Sequence, residues 1–274
     1  MKRRLIGISM FLAIVGTAGS AWSDLQPPPF DPKDPHMAPY ISGTKRSGYT
    51  YAEPETRAMQ DDDFQNPAFL WLEKGEKLWA KTDGEAGKSC ADCHGEPARM
   101  KGVGASYPKF DVKLGKLVDL EQRIMQCRTE QMKASEWKWE SDPLLSMTTF
   151  VKYQSRGMPV TVSIDGPAKP FFEKGREAYN LRRGLNDMAC KHCHEDYSGN
   201  YIRTELLSQG QSNGFPTYRL KWQTLGSFMK RVRGCNEEIR AEPLPWGADE
   251  YVNLELYLAW RGAGLTVETP SVRK

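Results

Sequence analysis

Apolar positions follow the period of an α-helix in four stretches of the chain, two in each half. Side chains that recur three or four positions apart share one helix face, so each stretch predicts a helix with one buried side. The second helix of the first half has a clear start, because Asp142 can cap it and Pro143 fits the first turn. Glycine follows Arg156 and Arg261, where the second helix of each half is expected to end. The apolar positions are Phe69, Leu70, Leu72 and Leu78; Leu144, Met147, Phe150 and Val151; Phe171, Phe172 and Ala178; and Tyr251, Leu254 and Leu258.

The first helix of each half also carries one repeated sequence. Glu73-Lys74-Gly75 recurs in the second half as Glu173-Lys174-Gly175, and an aromatic residue follows each glycine by four positions, Trp79 in one half and Tyr179 in the other. A glycine on an apolar helix face suits two helices that cross closely. We therefore predict an internal duplication in which the first and last helices of each half cross.

Four of the six cysteines lie in two copies of the C-x-x-C-H motif, Cys90–His94 and Cys190–His194. Two thiols three positions apart can reach the two vinyl groups of one porphyrin, and the following histidine can bind its iron. A thioredoxin-like site needs strands that are missing around both pairs, and a zinc site gives the adjacent histidines no role. We predict two covalently attached haem c groups. The predicted attachment residues are Cys90, Cys93, Cys190 and Cys193, and the predicted iron ligands in these motifs are His94 and His194.

These elements predict an all-α fold of two tandem cytochrome c-like domains, preceded by an extended N-terminal arm. The arm is rich in proline and polar residues and has no periodicity. The sequence Asp165-Gly166-Pro167 is a good joint between the domains. The predicted boundaries are 1–23 for a signal peptide, 24–60 for the arm, 61–165 for the first domain and 166–274 for the second, catalytic domain.

Charge and hydropathy exclude several classes of protein. The chain has 274 residues, of which 39% are hydrophobic and 27% charged, so it is neither a disordered tail nor a collagen. Residues 1–23 have the basic start, apolar stretch and small-residue exit of a secretory signal, which predicts export to the periplasm. An uncleaved N-terminal anchor is the alternative, and no later stretch is long enough to span a membrane. Removal of Lys2, Arg3 and Arg4 leaves 35 basic and 35 acidic side chains, which argues against nucleic acid as a partner.

Cys127 and Cys235 lie outside the attachment motifs. A disulfide between them is the usual expectation for an exported protein. However, each follows its own motif, and each has an arginine four positions before it, Arg123 and Arg231. We therefore predict that each thiolate is the sixth ligand of its own haem iron, which keeps the sulfur deprotonated. Each cysteine is predicted to share one helix face with three apolar residues, Leu117, Leu120 and Ile124 in the first half and Leu225, Phe228 and Val232 in the second.

Methionine is the usual competitor for the sixth position in simple electron carriers. Met158 and Met229 have the right residue type, but they occupy unmatched positions in the two halves. The rival interpretation is a dihaem electron-transfer cytochrome with methionine ligands and a Cys127–Cys235 disulfide, which needs no substrate residues.

The signal, the arm, the doubled C-x-x-C-H motif and the helices Arg123-x-x-x-Cys127 and Arg231-x-x-x-Cys235 together resemble the SoxA family, the dihaem subunit of the SoxAX cytochromes of sulfur-oxidising bacteria. The resemblance covers nearly the whole mature chain. It implies an L-cysteine S-thiosulfotransferase, which joins thiosulfate oxidatively to a cysteine of the sulfur carrier SoxYZ. It also implies a heterodimer with the monohaem cytochrome SoxX, which takes up the electrons.

The resemblance further implies that Cys235 is both an iron ligand and the catalytic residue, and that Arg231 binds substrate. A guanidinium one helical turn from the sulfur could hold the sulfonate oxygens of thiosulfate in a bidentate contact. We expect Arg261 or Arg233 to supply a second positive charge, although the position of Arg233 is also typical of an exposed arginine near a helix end. Cys127 is expected to have the same ligand chemistry without a substrate role.

Overall fold

The computed structural model of the protein describes residues 27–274, so the predicted signal peptide at 1–23 lies outside the described residues. Within the described part of the chain, no helix is both long enough and apolar enough to cross a membrane. The α-helices are α1 (Pro54–Asp61), α2 (Phe69–Ala80), α3 (Cys90–His94), α4 (Leu120–Gln126), α5 (Asp142–Tyr153), α6 (Lys169–Asn180), α7 (Phe228–Glu238) and α8 (Asp249–Arg261).

The prediction of an all-α fold is incomplete, because short strands join the helices. Among residues 27–274, three two-stranded antiparallel hairpins form. A three-stranded sheet also forms, in the order Thr224–Gly226, Thr217–Arg219 and Ser271–Arg273, with the last two strands parallel to each other. Each strand has only two or three residues, which is too few to show an alternating pattern. The strands are β1 (Ile41–Ser42), β2 (Lys45–Arg46), β3 (Lys109–Asp111), β4 (Lys116–Val118), β5 (Tyr201–Ile202), β6 (Glu205–Leu206), β7 (Thr217–Arg219), β8 (Thr224–Gly226) and β9 (Ser271–Arg273).

The predicted helix crossings are confirmed. Helix α2 packs on α5, and α6 packs on α8. A Cβ atom on Gly75 would lie 2.3 Å from the backbone oxygen of Ser146, and one on Gly175 would lie 2.0 Å from the backbone oxygen of Asn253. Each glycine therefore permits the closest approach between two helices, at a distance that no larger residue allows.

The helices that lead to the two remaining cysteines begin later than the sequence pattern predicts. Cys235 lies on α7, whereas Cys127 begins a π-helical turn, Cys127–Gln131, that directly follows α4. Leu117 and Leu225 belong to strands β4 and β8 and not to the helices. Asp119 caps α4 by accepting from the Gln122 backbone N–H, and Ser227 caps α7 in the same way. Both leucines are buried, but each is presented by a strand that ends just before the cap.

The N-terminal segment is more structured than the extended arm that we predicted for 24–60. It contains the β1–β2 hairpin and helix α1. It also lies against the second half of the chain, since Lys45 donates to the backbone oxygen of Ala263 and the backbone N–H of Arg46 donates to Gln209. Proline and glycine interrupt this segment into elements too short for periodicity, and tertiary contacts hold them.

Candidate functional site around His194 and Cys235

The second C-x-x-C-H motif lies on a helical turn that is capped from within the motif. The backbone N–H of Ala189 donates to His192 Nδ1 at 2.9 Å. In the first motif, Asp92 accepts from the backbone N–H of Ser89 at 2.7 Å. Asp92 and His192 therefore cap equivalent helix starts. His192 is therefore a capping residue.

His194 is oriented by a backbone carbonyl. Its Nδ1 lies 2.8 Å from the oxygen of Ser208, which can only accept, so Nδ1 carries the proton and Nε2 has a free lone pair. Burial lowers the pKa of His194 to about 4, which keeps the ring neutral. Gly210 makes room for the ring, because a Cβ there would lie 2.7 Å from the imidazole Cγ. A neutral imidazole fixed through Nδ1 is the form that binds a metal ion.

Cys235, on α7, lies beside the thiols of the second motif. The pKa values of Cys190 and Cys193 are raised, chiefly by burial and to a smaller extent by the nearby Cys235 sulfur. The pKa of Arg231 is raised chiefly because it lies near the Cys235 sulfur, which carries negative charge as a thiolate. Arg231 also contacts Glu238 at 3.3 Å and keeps 27% of its side chain exposed. The structure thus brings together the two attachment thiols, Cys235 and Arg231.

The first half has a parallel arrangement around Cys127. Burial raises the pKa of this thiol, Arg123 lowers it and Cys93 raises it again, so all three groups are neighbours. His94 lies beside Trp79 with the ring centroids 5.8 Å apart. Trp79 is itself fixed, since its Nε1 donates to the Gly95 oxygen at 3.0 Å. The aromatic residue that follows the crossing glycine of α2 therefore positions the motif.

All six cysteines are free thiols in the described chain, and no bond joins Cys127 to Cys235. Met229, one of the methionine candidates, is only 3% exposed, and its sulfur accepts from the Gly247 backbone N–H. It packs in the core of the second half among α6, α7 and α8. Met229 is therefore engaged in packing.

The two candidates for a second positive charge have other contacts. Arg261 pairs with Glu195 at 3.1 Å, donates to the Gln209 oxygen at 3.1 Å and stacks over Tyr179. With His194 it borders a cavity of about 320 Å³. Arg233 donates to the backbone oxygen of Leu244 and stacks over a tryptophan. Within residues 27–274, none of these contacts joins Arg261 or Arg233 to Cys235.

The donor set fits haem c. A C-x-x-C pair supplies two thiols for thioether bonds, and the neutral imidazole of His194 supplies an iron ligand with its second nitrogen fixed. Gly210 leaves the space that the imidazole needs to take this orientation.

Sequence reasoning missed three residues around this site. Ser208 and Gly210 orient His194 from a loop that has no periodic pattern. Arg219, the last residue of β7, also belongs to the site: burial and then Arg231 lower its pKa, while Glu205 and Cys235 raise it. The signal that could have revealed Arg219 is its spacing, because it precedes Cys235 by the same interval at which Asp111 precedes Cys127.

Helices that cross at glycine, a capped C-x-x-C-H turn and a histidine fixed through Nδ1 define a c-type cytochrome. The family model "SoxA/TsdA, cytochrome c domain" matches residues 74–160. The chain belongs to the SoxA family, as its similarity to several members shows over most of its length.

The protein "L-cysteine S-thiosulfotransferase subunit SoxA" of Rhodovulum sulfidophilum is 47% identical over 83% of this chain and 80% of its own length. The protein of the same name from Pseudaminobacter salicylatoxidans is 44% identical over 88% of this chain and 84% of its own. A chain in the crystal structure of SoxXA from P. pantotrophus is 42% identical and has a TM-score of 0.82, with 91% of this chain and 92% of that chain covered.

Proposed function

We propose that the chain is the thiosulfate-binding subunit of an L-cysteine S-thiosulfotransferase, which joins thiosulfate oxidatively to a cysteine of the sulfur carrier SoxYZ. The observation that carries this proposal is the position of Cys235: a free thiol lies beside both attachment thiols and beside a partly exposed arginine. An electron carrier needs no such arginine. The names of the relatives support the same reaction.

We infer that the chain holds two haem c groups, one at each motif. Cys90 and Cys93 would attach the first haem, and Cys190 and Cys193 the second. The iron ligands would be His94 with Cys127 and His194 with Cys235 in the respective halves. Bound haem c supplies a one-electron acceptor beside the reacting sulfur.

The reaction at Cys235 has two steps. First, the Cys235 sulfur forms a bond with the terminal sulfur of thiosulfate, and the two sulfur species together give up two electrons. Next, the carrier thiolate attacks that terminal sulfur, so the bond to Cys235 breaks and its thiolate is released. The carrier cysteine leaves with the –S–SO₃⁻ group, and the proton of its thiol goes to solvent.

Arg231 has two tasks in this reaction. Its guanidinium can hold the sulfonate oxygens of thiosulfate with paired hydrogen bonds. Its positive charge also lies beside the sulfur of Cys235, which is the nucleophile. We assign Arg261 no more than a supporting part in charge, because its described contacts are with Glu195, Gln209 and Tyr179 and not with Cys235.

The electrons leave to a partner cytochrome of the SoxX type, as the SoxXA neighbour supports. We also propose that the two halves, 61–165 and 166–274, are cytochrome c-like domains that arose by duplication, since α2 with α5 and α6 with α8 repeat one helix crossing. Residues 1–23 would direct the chain to the periplasm.

Cys235→Ser tests the proposal, with Cys127→Ser as the matched control at the equivalent position. Transfer of thiosulfate to the carrier is measured with the holoprotein bound to its partner cytochrome. We expect Cys235→Ser to abolish turnover and Cys127→Ser to retain it. Full activity of Cys235→Ser, or equal loss in both variants, would contradict the role of Cys235. A natural protein that reduces its partner but transfers no thiosulfate would be an electron-transfer cytochrome.

A further inference from the structure

The two halves differ in charge at one position beside the cysteine. In the first half, Asp111 ends β3 and precedes Arg123 in the chain. In the second half, Arg219 ends β7 and precedes Arg231 by the same interval. Both strands pair with the next strand of a hairpin in the same register. An acidic side chain in one half therefore occupies the place of a basic side chain in the other.

In the first half, this position neutralises the arginine that precedes the cysteine. The Asp111 carboxylate lies 2.5 Å from the Arg123 guanidinium and is only 7% exposed. Arg123 also donates to Gln126 at 2.7 Å. Burial lowers the pKa of Arg123, but its bond to Asp111 and contacts with its other neighbours outweigh that effect, and the net shift is upward. The Arg123 guanidinium is therefore paired with a carboxylate and is not available to bind an anion.

In the second half, the Arg219 side chain is buried, and two contacts fix the orientation of its guanidinium. Its side chain is 9% exposed, and Nη2 contacts Glu205 at 3.2 Å. Its Nε donates to the backbone oxygen of Lys274 at 2.8 Å. Glu205 is shared with Lys221 at 3.3 Å, so one carboxylate serves two cations. Arg219 is therefore fixed without being fully neutralised.

Arg219 and Arg231 act on each other across the site. The positive charge of Arg231 disfavours that of Arg219, and the Cys235 sulfur favours both. Two guanidinium groups beside one thiol create a positive electrostatic potential. A bound dianion offsets the repulsion between these two groups. The equivalent field in the first half is cancelled by Asp111.

We propose that Arg219 is a specificity-determining residue, which forms with Arg231 a two-arginine site for the sulfonate of thiosulfate beside the Cys235 sulfur. This inference rests on the proposed function. It takes over the role of second positive charge that the sequence suggested for Arg261. It also predicts that substrate binds to the second half and not to the first, since Asp111 neutralises the equivalent arginine of the first half.

The test uses the holoprotein with its partner cytochrome and compares Arg219→Gln and Arg219→Asp with the natural chain. Loss of one charge-assisted contact is expected to raise the KM for thiosulfate about 10-fold in the glutamine variant, and charge reversal about 100-fold in the aspartate variant. The kcat and the KM for the carrier should change by less than about threefold, since Arg219 lies outside the sulfur chemistry. Inhibition by sulfate, a dianion without a sulfane sulfur, should weaken in parallel.

Asp111→Asn is the matched control and should leave the KM for thiosulfate unchanged. Arg219→Lys keeps the charge, so its KM for thiosulfate should lie between those of the natural chain and Arg219→Gln. This variant serves as the test if the other variants fail to incorporate haem. An unchanged KM for thiosulfate in Arg219→Asp, or in Arg219→Lys alone when only that variant folds, overturns the role of Arg219. Equal falls in kcat and in affinity for both substrates also overturn it, because they indicate structural damage. A natural chain that transfers no thiosulfate refutes the proposed function itself.

Discussion

Replacement of Gly175 by alanine should destabilise the protein by forcing α6 away from α8. The new Cβ would lie 2.0 Å from the Asn253 oxygen and 3.0 Å from the Tyr257 Cβ. A close carbon–oxygen contact needs about 3.3 Å, so the helices must separate by roughly 1.3 Å or bend. Overpacking of this kind costs about 1–3 kcal/mol, and backbone contact places this site toward the upper end.

The higher helix propensity of alanine stabilises the helix and so acts against the overpacking. A control variant is needed to measure this gain by itself. Alanine is favoured over glycine by about 1 kcal/mol in a helix interior. Gly234, on α7, has only the end of the Arg231 side chain near its would-be Cβ, at 3.9 Å. Gly234→Ala should therefore gain stability by up to about 1 kcal/mol, while Gly175→Ala loses about 1–2 kcal/mol after the propensity gain is subtracted.

Guanidinium unfolding of the holoprotein variants, followed by far-UV circular dichroism, measures both changes as free energies of unfolding. The expected order of stability is Gly234→Ala, then the natural chain, then Gly175→Ala. A Gly175→Ala variant as stable as Gly234→Ala would refute the close helix crossing.

Two further predictions concern pH and the histidine ligand. Burial raises the pKa of Glu255 and Glu121 to about 8, so the folded protein binds protons that the unfolded chain releases above about pH 4.5. Stability should therefore fall as pH rises from about 5 to about 8, and Glu255→Gln should flatten this slope in unfolding midpoints; an equally steep slope contradicts the prediction. Gly210→Ala should displace His194 from its carbonyl and alter the absorption of the second haem alone, whereas Gly199→Ala, with φ +89° and open space, should not. Identical spectra for the two variants would show that the Gly210 contact is unimportant.

The helices that cross at glycine could be predicted from the sequence because their signals are local. Gly75 and Gly175 lie on long apolar stripes, and α5 and α8 end at or shortly before the arginine-and-glycine pairs that mark their ends. The strands could not be predicted in this way. Strand β9 pairs with β7, which lies far earlier in the chain, and only the folded chain brings these short segments together.

The sequence indicates the chemistry of the site, but it does not indicate every residue that lies around it. The motif cysteines follow from their spacing, because haem attachment requires two thiols three positions apart. The roles of Cys235 and Arg231 are implied by the family resemblance and stay predictions. Arg261 shows the limit of that reasoning: its helix-end position is right, but tertiary contacts direct it to Glu195. Arg219 approaches the site from a strand, and its role depends on a comparison of charge between equivalent positions.

The central claim is that the Cys235 thiolate binds the second haem iron and is also the reacting sulfur. Electron paramagnetic resonance of the oxidised holoprotein tests it most directly, with the natural chain compared with Cys235→Ser and Cys127→Ser. We expect thiolate-type low-spin signals from both irons, with one signal lost in each variant and thiosulfate transfer lost only in Cys235→Ser. A second-haem signal that is unchanged in Cys235→Ser would contradict the claim.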